Sequence, residues 1–483
     1  MSRISQNIIS TTLIAFLVSL SGVATGQEVG DRVCVTANFE TKIFKEKVDK
    51  VYGGSIHTVI AKEGKWCALD NVKGWLPLQY VMNLDGAAKY FEDRLDKHEN
   101  DADAWAGKGM ILYENDQFEQ ADLDLTESIK LNPRNAAAWN NRGIIRHAQS
   151  QFVAAFQDVE RAIQLNPNYS HAFYNRGLIL FALGEYDKAV ESYDKALDLH
   201  PKNAWTYINR GSAKHSSGDE KGAKSDYIHA IKLDKRIAES YVGLSNIYLS
   251  ENEMEKSFKY ASLAVKKHPK NSMALNARGW AYYKLDKIDD AIYDFDRAIR
   301  YAPHLSIVFN NRGICYSAKS EYKQAVKNYN RSIALNPMSA VSFTNRGTAF
   351  TGMQQYAKAQ KDFEKALNIA PQLTDAQNSI AWFRATCPDK KFRDGKMAKA
   401  AATEACELSD WKDWTYIDTL AASCAELGDF DNAVKYAEKA AELAEEQKHK
   451  TECAAHLAMF KQSQPIRSDI GKASDIHSDG KTR

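Results

Sequence analysis

Charge of one sign, prolines outside a single register, catalytic signatures and long apolar runs are all scarce in this 483-residue chain. Lys and Arg total 64 against 62 Asp and Glu, a formal net charge of +2, so no field of one sign is available to gather nucleic acid, and none is expected as a partner. The seven cysteines include no CxxC pair and no Cys/His spacing of the zinc type, so no metal is expected. The sequence contains no GxSxG, no HExxH, no P-loop and no dinucleotide-binding glycine fingerprint. Acidic pairs such as Asp289-Asp290 fall where turns or exposed helix faces are expected. Neither an enzyme nor a cofactor is therefore expected.

One apolar stretch does occur, from Ile8 to Ala24, behind the single basic residue Arg3. Ala24 and Gly26 are the small residues that a signal peptidase accepts, so residues 1–26 are expected to be a signal peptide cleaved before Gln27. An uncleaved membrane anchor is the alternative, and the run is somewhat short for a span. No cysteine follows the stretch to carry a lipid. The expected product is exported, to the periplasm or cell envelope or as a secreted protein, with no integral span after cleavage. In an oxidising compartment, Cys34 with Cys67, or members of the group Cys387, Cys406, Cys424 and Cys453, are either paired or buried as free thiols, while Cys315 lies alone.

Of the ten prolines, seven share one position of a 34-residue pattern that is written eight times over residues 102–373: Pro133, Pro167, Pro201, Pro269, Pro303, Pro337 and Pro371. Glycine recurs at Gly109, Gly143, Gly177, Gly211, Gly279, Gly313 and Gly347, with Ser245 as the substitute. Small residues follow at two further places, for example Ala189 and Ala196 in the third copy or Ala291 and Ala298 in the sixth. Apolar residues between these markers recur at helical spacing, so each copy predicts two short helices, with small residues at their crossing and proline ending the second. The fourth and fifth copies are the least regular, with Lys235 in place of proline and Ser245 and Ser257 in place of small apolar residues.

Period, helix-turn-helix unit and pattern resemble the tetratricopeptide repeat, best seen in Phe173, Gly177, Leu178, Phe181, Tyr186, Ala189, Tyr193, Ala196 and Pro201. The resemblance implies a mainly α chain, a right-handed α-solenoid of stacked repeats. It also implies that a ligand would meet the second, fifth, ninth and twelfth positions of each first helix. These positions supply His171, then Asn140, Tyr174, Asn276 and Asn310, then Ile144, Leu178 and Trp280, then Tyr113, His147, Phe181 and Tyr283. Amides and rings in a groove suit an extended protein or peptide segment. None of the eight copies has lysine at the fifth position, which the family's clamp for C-terminal carboxylates requires, so acidic C-termini are not implied as ligands.

A second ladder runs through six copies: Arg142, Arg176, Arg210, Arg278, Arg312 and Arg346 precede the repeat glycine. Asp158, Asp226, Asp294 and Asp362 stand sixteen residues after the arginine in the even copies, with Ser192 and Asn328 in the third and seventh. The preferred reading is structural, arginine fixing the register of each hairpin. An arginine-lined track for anionic polymers is the alternative.

Residues 28–83 change character from helical spacing to alternation, with short strands at Val33-Cys34-Val35-Thr36, His57-Thr58-Val59-Ile60 and Trp66-Cys67-Ala68-Leu69. The run Gly74-Trp75-Leu76-Pro77-Leu78-Gln79-Tyr80-Val81 resembles the end of SH3 domains, which implies a small all-β SH3-like barrel with Trp66, Pro77 and Tyr80 on its ligand surface. Lys42 to Lys47 stand where the family carries an acidic loop, so basic proline-rich ligands are not implied. The alternative is that Trp66 and Tyr80 only pack the barrel. Residues 85–101 read as a lone second helix capping the stack, because Ala87 and Phe91 are in register with Ala121 and Leu125. Residues 374–447 read as two divergent copies, 448–462 as a capping helix and 463–483 as a disordered tail. The whole is expected to be an interaction scaffold. The alternatives are a cell-wall-binding protein acting through the barrel, and a scaffold that assembles with itself.

Overall fold

The computed structural model describes the short strand segments between residues 32 and 83 and the continuous chain 81–467, with side chains from residue 85 onward. The expected signal peptide, Tyr80, the side chains of Cys34, Cys67, Trp66 and Pro77, and residues 468–483 lie outside the described residues.

The strands are β1 Arg32–Val35, β2 Phe39–Ile43, β3 Glu46–Val51, β4 Ile56–Glu63, β5 Trp66–Leu69, β6 Trp75–Pro77 and β7 Val81–Asn83. They form one antiparallel sheet in the order β3-β2-β6-β5-β4-β1-β7. Two compact units divide the chain, residues 1–247 and 248–483.

In the first unit α1, Leu84–Lys97, is followed by helix pairs: α2 Ala102–Glu114 and α3 Phe118–Leu131, α4 Ala136–Ala148 and α5 Phe152–Leu165, α6 Ser170–Ala182 and α7 Tyr186–Leu199, α8 Ala204–Ser217 and α9 Glu220–Leu233. The division falls within α10, Ala238–Ser250. The second unit continues with α11 Met254–Lys267, α12 Ser272–Lys284, α13 Ile288–Tyr301, α14 Ser306–Ala318, α15 Tyr322–Leu335, α16 Ala340–Gly352 and α17 Tyr356–Ile369. It ends with α18 Thr374–Thr386, α19 Gly395–Leu408, α20 Trp414–Glu426, α21 Phe430–Leu443 and α22 Gln447–Lys461. The described chain is thus mainly helical and repetitive, as its period predicts.

Local chemistry marks several of the boundaries. Many first helices open on an N-cap whose side chain accepts a backbone N–H: Asp101 from Ala104, Asn135 from Ala138, Asn203 from Thr206, Asn271 from Ala274 and Ser339 from Ser342. Between the helices of each pair one residue turns left-handed at a constant place: Asp116, Ser150, Gly184, Gly218, Asn252, Asp286, Ser320 and Gln354, with φ from 58° to 93°. Only Gly184 and Gly218 adopt it without a Cβ penalty.

The repeat glycines serve close approach. A Cβ on Gly177 would stand 2.5 Å from the ring of Tyr193, and one on Gly313 2.5 Å from the ring of Tyr329. Both rings are almost fully buried. Gly177→Val is expected to lower stability by about 1–3 kcal/mol through overpacking, read as an earlier urea midpoint, whereas an unchanged midpoint would mean that Tyr193 can move aside.

Ala87 and Phe91 of α1 are fully buried in the first core cluster, and Phe91 fills the space a side chain at Gly107 would need, as the register of the cap predicts. At the other end the structure corrects the start of the tail. Residues 464–467 follow α22 as packed chain: Ile466 is buried in the last core cluster and Arg467 Nη2 lies 2.8 Å from Glu426. An apolar side chain and an ion pair tie this stretch down within an otherwise polar segment.

All five described cysteines, Cys315, Cys387, Cys406, Cys424 and Cys453, are buried free thiols. Burial pushes Cys315, Cys406 and Cys453 up to about 12 and raises Cys387 and Cys424 as well. These five are expected to stay silent toward Ellman's reagent at pH 8 until denaturant is added. More than two thiols reacting natively, from the seven in the chain, would contradict that burial.

Candidate functional site

The first helices of successive pairs carry the groove positions, and hydrogen bonds between repeats set how those side chains sit. Asn175 Nδ2 donates to Asn140 Oδ1 at 2.8 Å, and Asn209 Nδ2 donates to the Tyr174 hydroxyl at 2.6 Å. In the second unit Asn311 Nδ2 donates to Asn276 Oδ1 and Asn345 Nδ2 to Asn310 Oδ1, each at 3.0 Å. Fifth-position side chains thus accept from the residue before arginine in the following copy. Asn140, Tyr174 and Asn310 are buried and Asn276 is half-buried.

The twelfth position ties each hairpin together. The rings of Tyr113 and Phe118, His147 and Phe152, and Phe181 and Tyr186 lie 5.6, 5.5 and 5.3 Å apart. Tyr113, Ile144 and His147 are buried, and burial lowers the His147 imidazole to about 4, leaving it neutral near pH 7. His171, Leu178 and Phe181 in the first unit, and Trp280 and Tyr283 in the second, keep part of their surface open. Trp280 and Tyr283 stack at 5.0 Å with 14° between their planes, and Lys284 Nζ lies 6.0 Å from the indole. The expected groove residues therefore separate into a buried set, whose members Asn140, Tyr174 and Asn310 bond between repeats, and a half-open set. On the sheet, Trp66 and Pro77 are register partners across β5 and β6.

The arginine ladder is paired. Bidentate bonds join Arg142 to Asp158, Arg210 to Asp226, Arg278 to Asp294 and Arg346 to Asp362, all between 2.6 and 2.8 Å. The first copy uses Lys108 with Asp124 at 3.4 Å. Sequence reading missed the second partner, sixteen residues before the arginine. Arg210 Nη1 bonds Asp194 at 2.6 Å, Arg176 Nη1 bonds Glu160 at 2.9 Å, and Arg312 bonds Asp296. Arg176 and Arg312, which lack the aspartate, instead donate to Ser192 at 3.0 Å and Asn328 at 2.8 Å. Aromatic faces complete the cradle, with Arg142 over Trp139 at 4.8 Å and Arg346 over Phe343 at 5.3 Å. With bonds in two directions, Arg142, Arg176, Arg210, Arg312 and Arg346 each join their own hairpin to the preceding second helix, while Arg278 bonds only Asp294 among the described residues, which favours the structural reading over a track for anions.

Sequence models described as tetratricopeptide repeat match residues 111–170, 159–191, 206–236, 272–305, 306–339, 340–373 and 418–447, and one described as TPR repeat matches 177–218. Together they span more than half of the chain. The chain belongs to the tetratricopeptide-repeat family. These repeats generally build scaffolds for protein–protein interaction. The matches skip the fifth copy of this tetratricopeptide-repeat protein, where Leu244 replaces the ladder arginine and Ser245 the glycine. They also skip 374–417, where an insertion lengthens the ninth copy.

Similar solved structures include the human IFIT1 dimer with PPP-AAAA, 14% identical over 75% of this chain and 95% of that one, with a TM-score of 0.48. Yeast Tom70 is 19% identical over 80% and 94%, TM-score 0.40, and a tetratricopeptide repeat protein from Parabacteroides merdae is 15% identical over 56% and 99%, TM-score 0.44. No curated protein sequence matches the chain. Among the described residues no cluster of His, Cys, Asp and Glu could hold a metal ion, and no helix is long and apolar enough to cross a membrane.

Proposed function

We propose that this tetratricopeptide-repeat protein is a non-catalytic scaffold of the cell envelope that holds an extended segment of another protein against its first helices. The observation that carries the reading is found in each unit by itself: half-open side chains, His171, Leu178 and Phe181 in the first and Trp280 and Tyr283 in the second, stand beside neighbours that use their polar atoms between repeats. Rings and an aliphatic side chain supply apolar contact, while the register bonds hold them in place before any ligand arrives.

Export rests on residues 1–26, whose basic start, apolar stretch and small residues before Gln27 have the order of a signal peptide. Amino-terminal sequencing of the protein from its native envelope is expected to begin at Gln27; a sequence starting at Met1 would remove the signal-peptide reading.

The binding experiment uses the chain from Gln27 as bait in an envelope extract, beside a variant with Phe181 and Trp280 changed to alanine. A protein captured by the first and lost from the folded variant supports the groove. Equal capture by both would move binding to another surface.

A second reading assigns residues 28–83 to an SH3-like barrel that recognises cell wall. It draws on the antiparallel order of seven short strands and on the register pairing of Trp66 with Pro77. The chain with and without residues 28–83, sedimented with purified cell wall, separates the readings. Loss of sedimentation on deletion favours the barrel, and no sedimentation of either protein removes it.

A further inference from the structure

One pocket of the second unit sets hydroxyls and a carboxylate beside the apolar side chains of Ile314, Val341 and Leu373. It lies among α14, α16 and α18 and is lined by Tyr283, Tyr322, Thr344, Thr348, Asp375 and Ser379. Thr344 Oγ1 donates its proton to the Ala340 carbonyl at 3.1 Å, and Thr348 Oγ1 donates to the Thr344 carbonyl at 3.2 Å. Both hydroxyls are therefore left with lone pairs to offer. Asp375 is the one carboxylate of the lining. Tyr416 donates to Asp375 Oδ1 at 2.8 Å, which fixes the carboxylate against α20. Ser379 is 3% exposed, yet its hydroxyl has no hydrogen-bond partner among the described residues. An unpaired buried hydroxyl is costly enough to call for a partner.

A pocket with one carboxylate, several lone pairs and phenol rings complements a planar cation that only donates. We infer that this pocket takes the basic side chain of the bound protein segment, arginine ahead of lysine. The inference rests on the groove reading above and assigns that groove a specificity. A guanidinium brings five N–H donors to the acceptors of this lining, whereas an ammonium brings three. A carboxylate ligand would meet Asp375 with like charge and find few donors. None of these four residues stands out in the sequence, although Thr344, Thr348 and Asp375 occupy the same fifth, ninth and second positions as the earlier groove residues.

The test is an array of nonapeptides with random flanks and a fixed central Arg, Lys, Gln or Glu, probed with the labelled full chain. Retention is expected to fall in that order, with Asp375→Asn lowering the arginine signal about tenfold or more, to the glutamine level. Asparagine can still accept from Tyr416, and a melting curve checks that the variant is folded. Ser379→Ala removes an unpaired buried hydroxyl from the free protein, so it is expected to raise the melting temperature slightly while weakening arginine peptides several-fold. Retention indifferent to the central residue but lost in the variant with Phe181 and Trp280 changed to alanine would overturn the pocket and keep the groove. An arginine preference that survives Asp375→Asn would likewise overturn the pocket. No retention of any peptide would overturn both.

Discussion

Asp158→Ala is expected to lower the stability of the first unit by about 3–5 kcal/mol, the cost of leaving buried partners of an ion pair uncompensated. Asp158 is 2% exposed and holds two arginines, Arg142 through two bonds and Arg146 at 2.9 Å. Arg146 retains Asp122 at 2.8 Å, but Arg142 would keep only the Thr126 hydroxyl at 3.1 Å and the face of Trp139. Replacing Glu160 by alanine, which leaves Arg176 its bond to Ser192, is expected to cost about 1 kcal/mol, because Glu160 and Arg176 are both partly open to water. Urea unfolding of the two variants decides the matter. Equal costs would mean that the ladder does not depend on burial, and a cost below about 1 kcal/mol at Asp158 would remove its role in hairpin register.

Acid is expected to destabilise the same unit through His147. Burial holds the folded imidazole at about 4, against an ordinary value of 6.5. The unfolded chain therefore binds the proton more readily, so the histidine's contribution is complete above about pH 6.5 and drains away as the pH falls toward 4. Between pH 7 and pH 5 the loss is about 2 kcal/mol, reaching about 3 kcal/mol below pH 4. His147→Leu keeps the apolar contact with Phe152 and removes the titration. Denaturant midpoints at pH 7, 6 and 5 are expected to fall more steeply for the native chain than for this variant; parallel slopes would show that His147 is protonated in the folded state. Because His147 is buried and pairs its ring with Phe152, the same variant tests whether a twelfth-position residue stabilises the hairpin rather than touching a ligand.

Much of the fold is legible along the chain because a solenoid is stabilised by contacts between neighbouring copies. Its rules recur at every period: Gly177 against Tyr193 returns as Gly313 against Tyr329, and Arg142 with Asp158 returns as Arg210 with Asp226. The left-handed turn is less legible. Glycine marks it at Gly184 and Gly218, yet Gln354 and Ser320 adopt it with no signal in their side chains, because the helices on either side impose the turn. The positions that the family resemblance assigns to a groove read in sequence as one list, which packing divides. Tyr174 and Phe181 look equally suited to a ligand in sequence, and only packing shows one buried under Asn209 and the other half-open.

By itself the sequence determined the repeat, its period and the even-copy placing of arginine and aspartate, since each follows from residues at a constant spacing. Tertiary structure alone decided the second partners of Arg142, Arg176, Arg210, Arg312 and Arg346, the free state of the described thiols, the anchoring of Ile466 and Arg467, and the pocket around Asp375. Those features depend on which side chains meet when hairpins stack, and on how much water the stacking excludes.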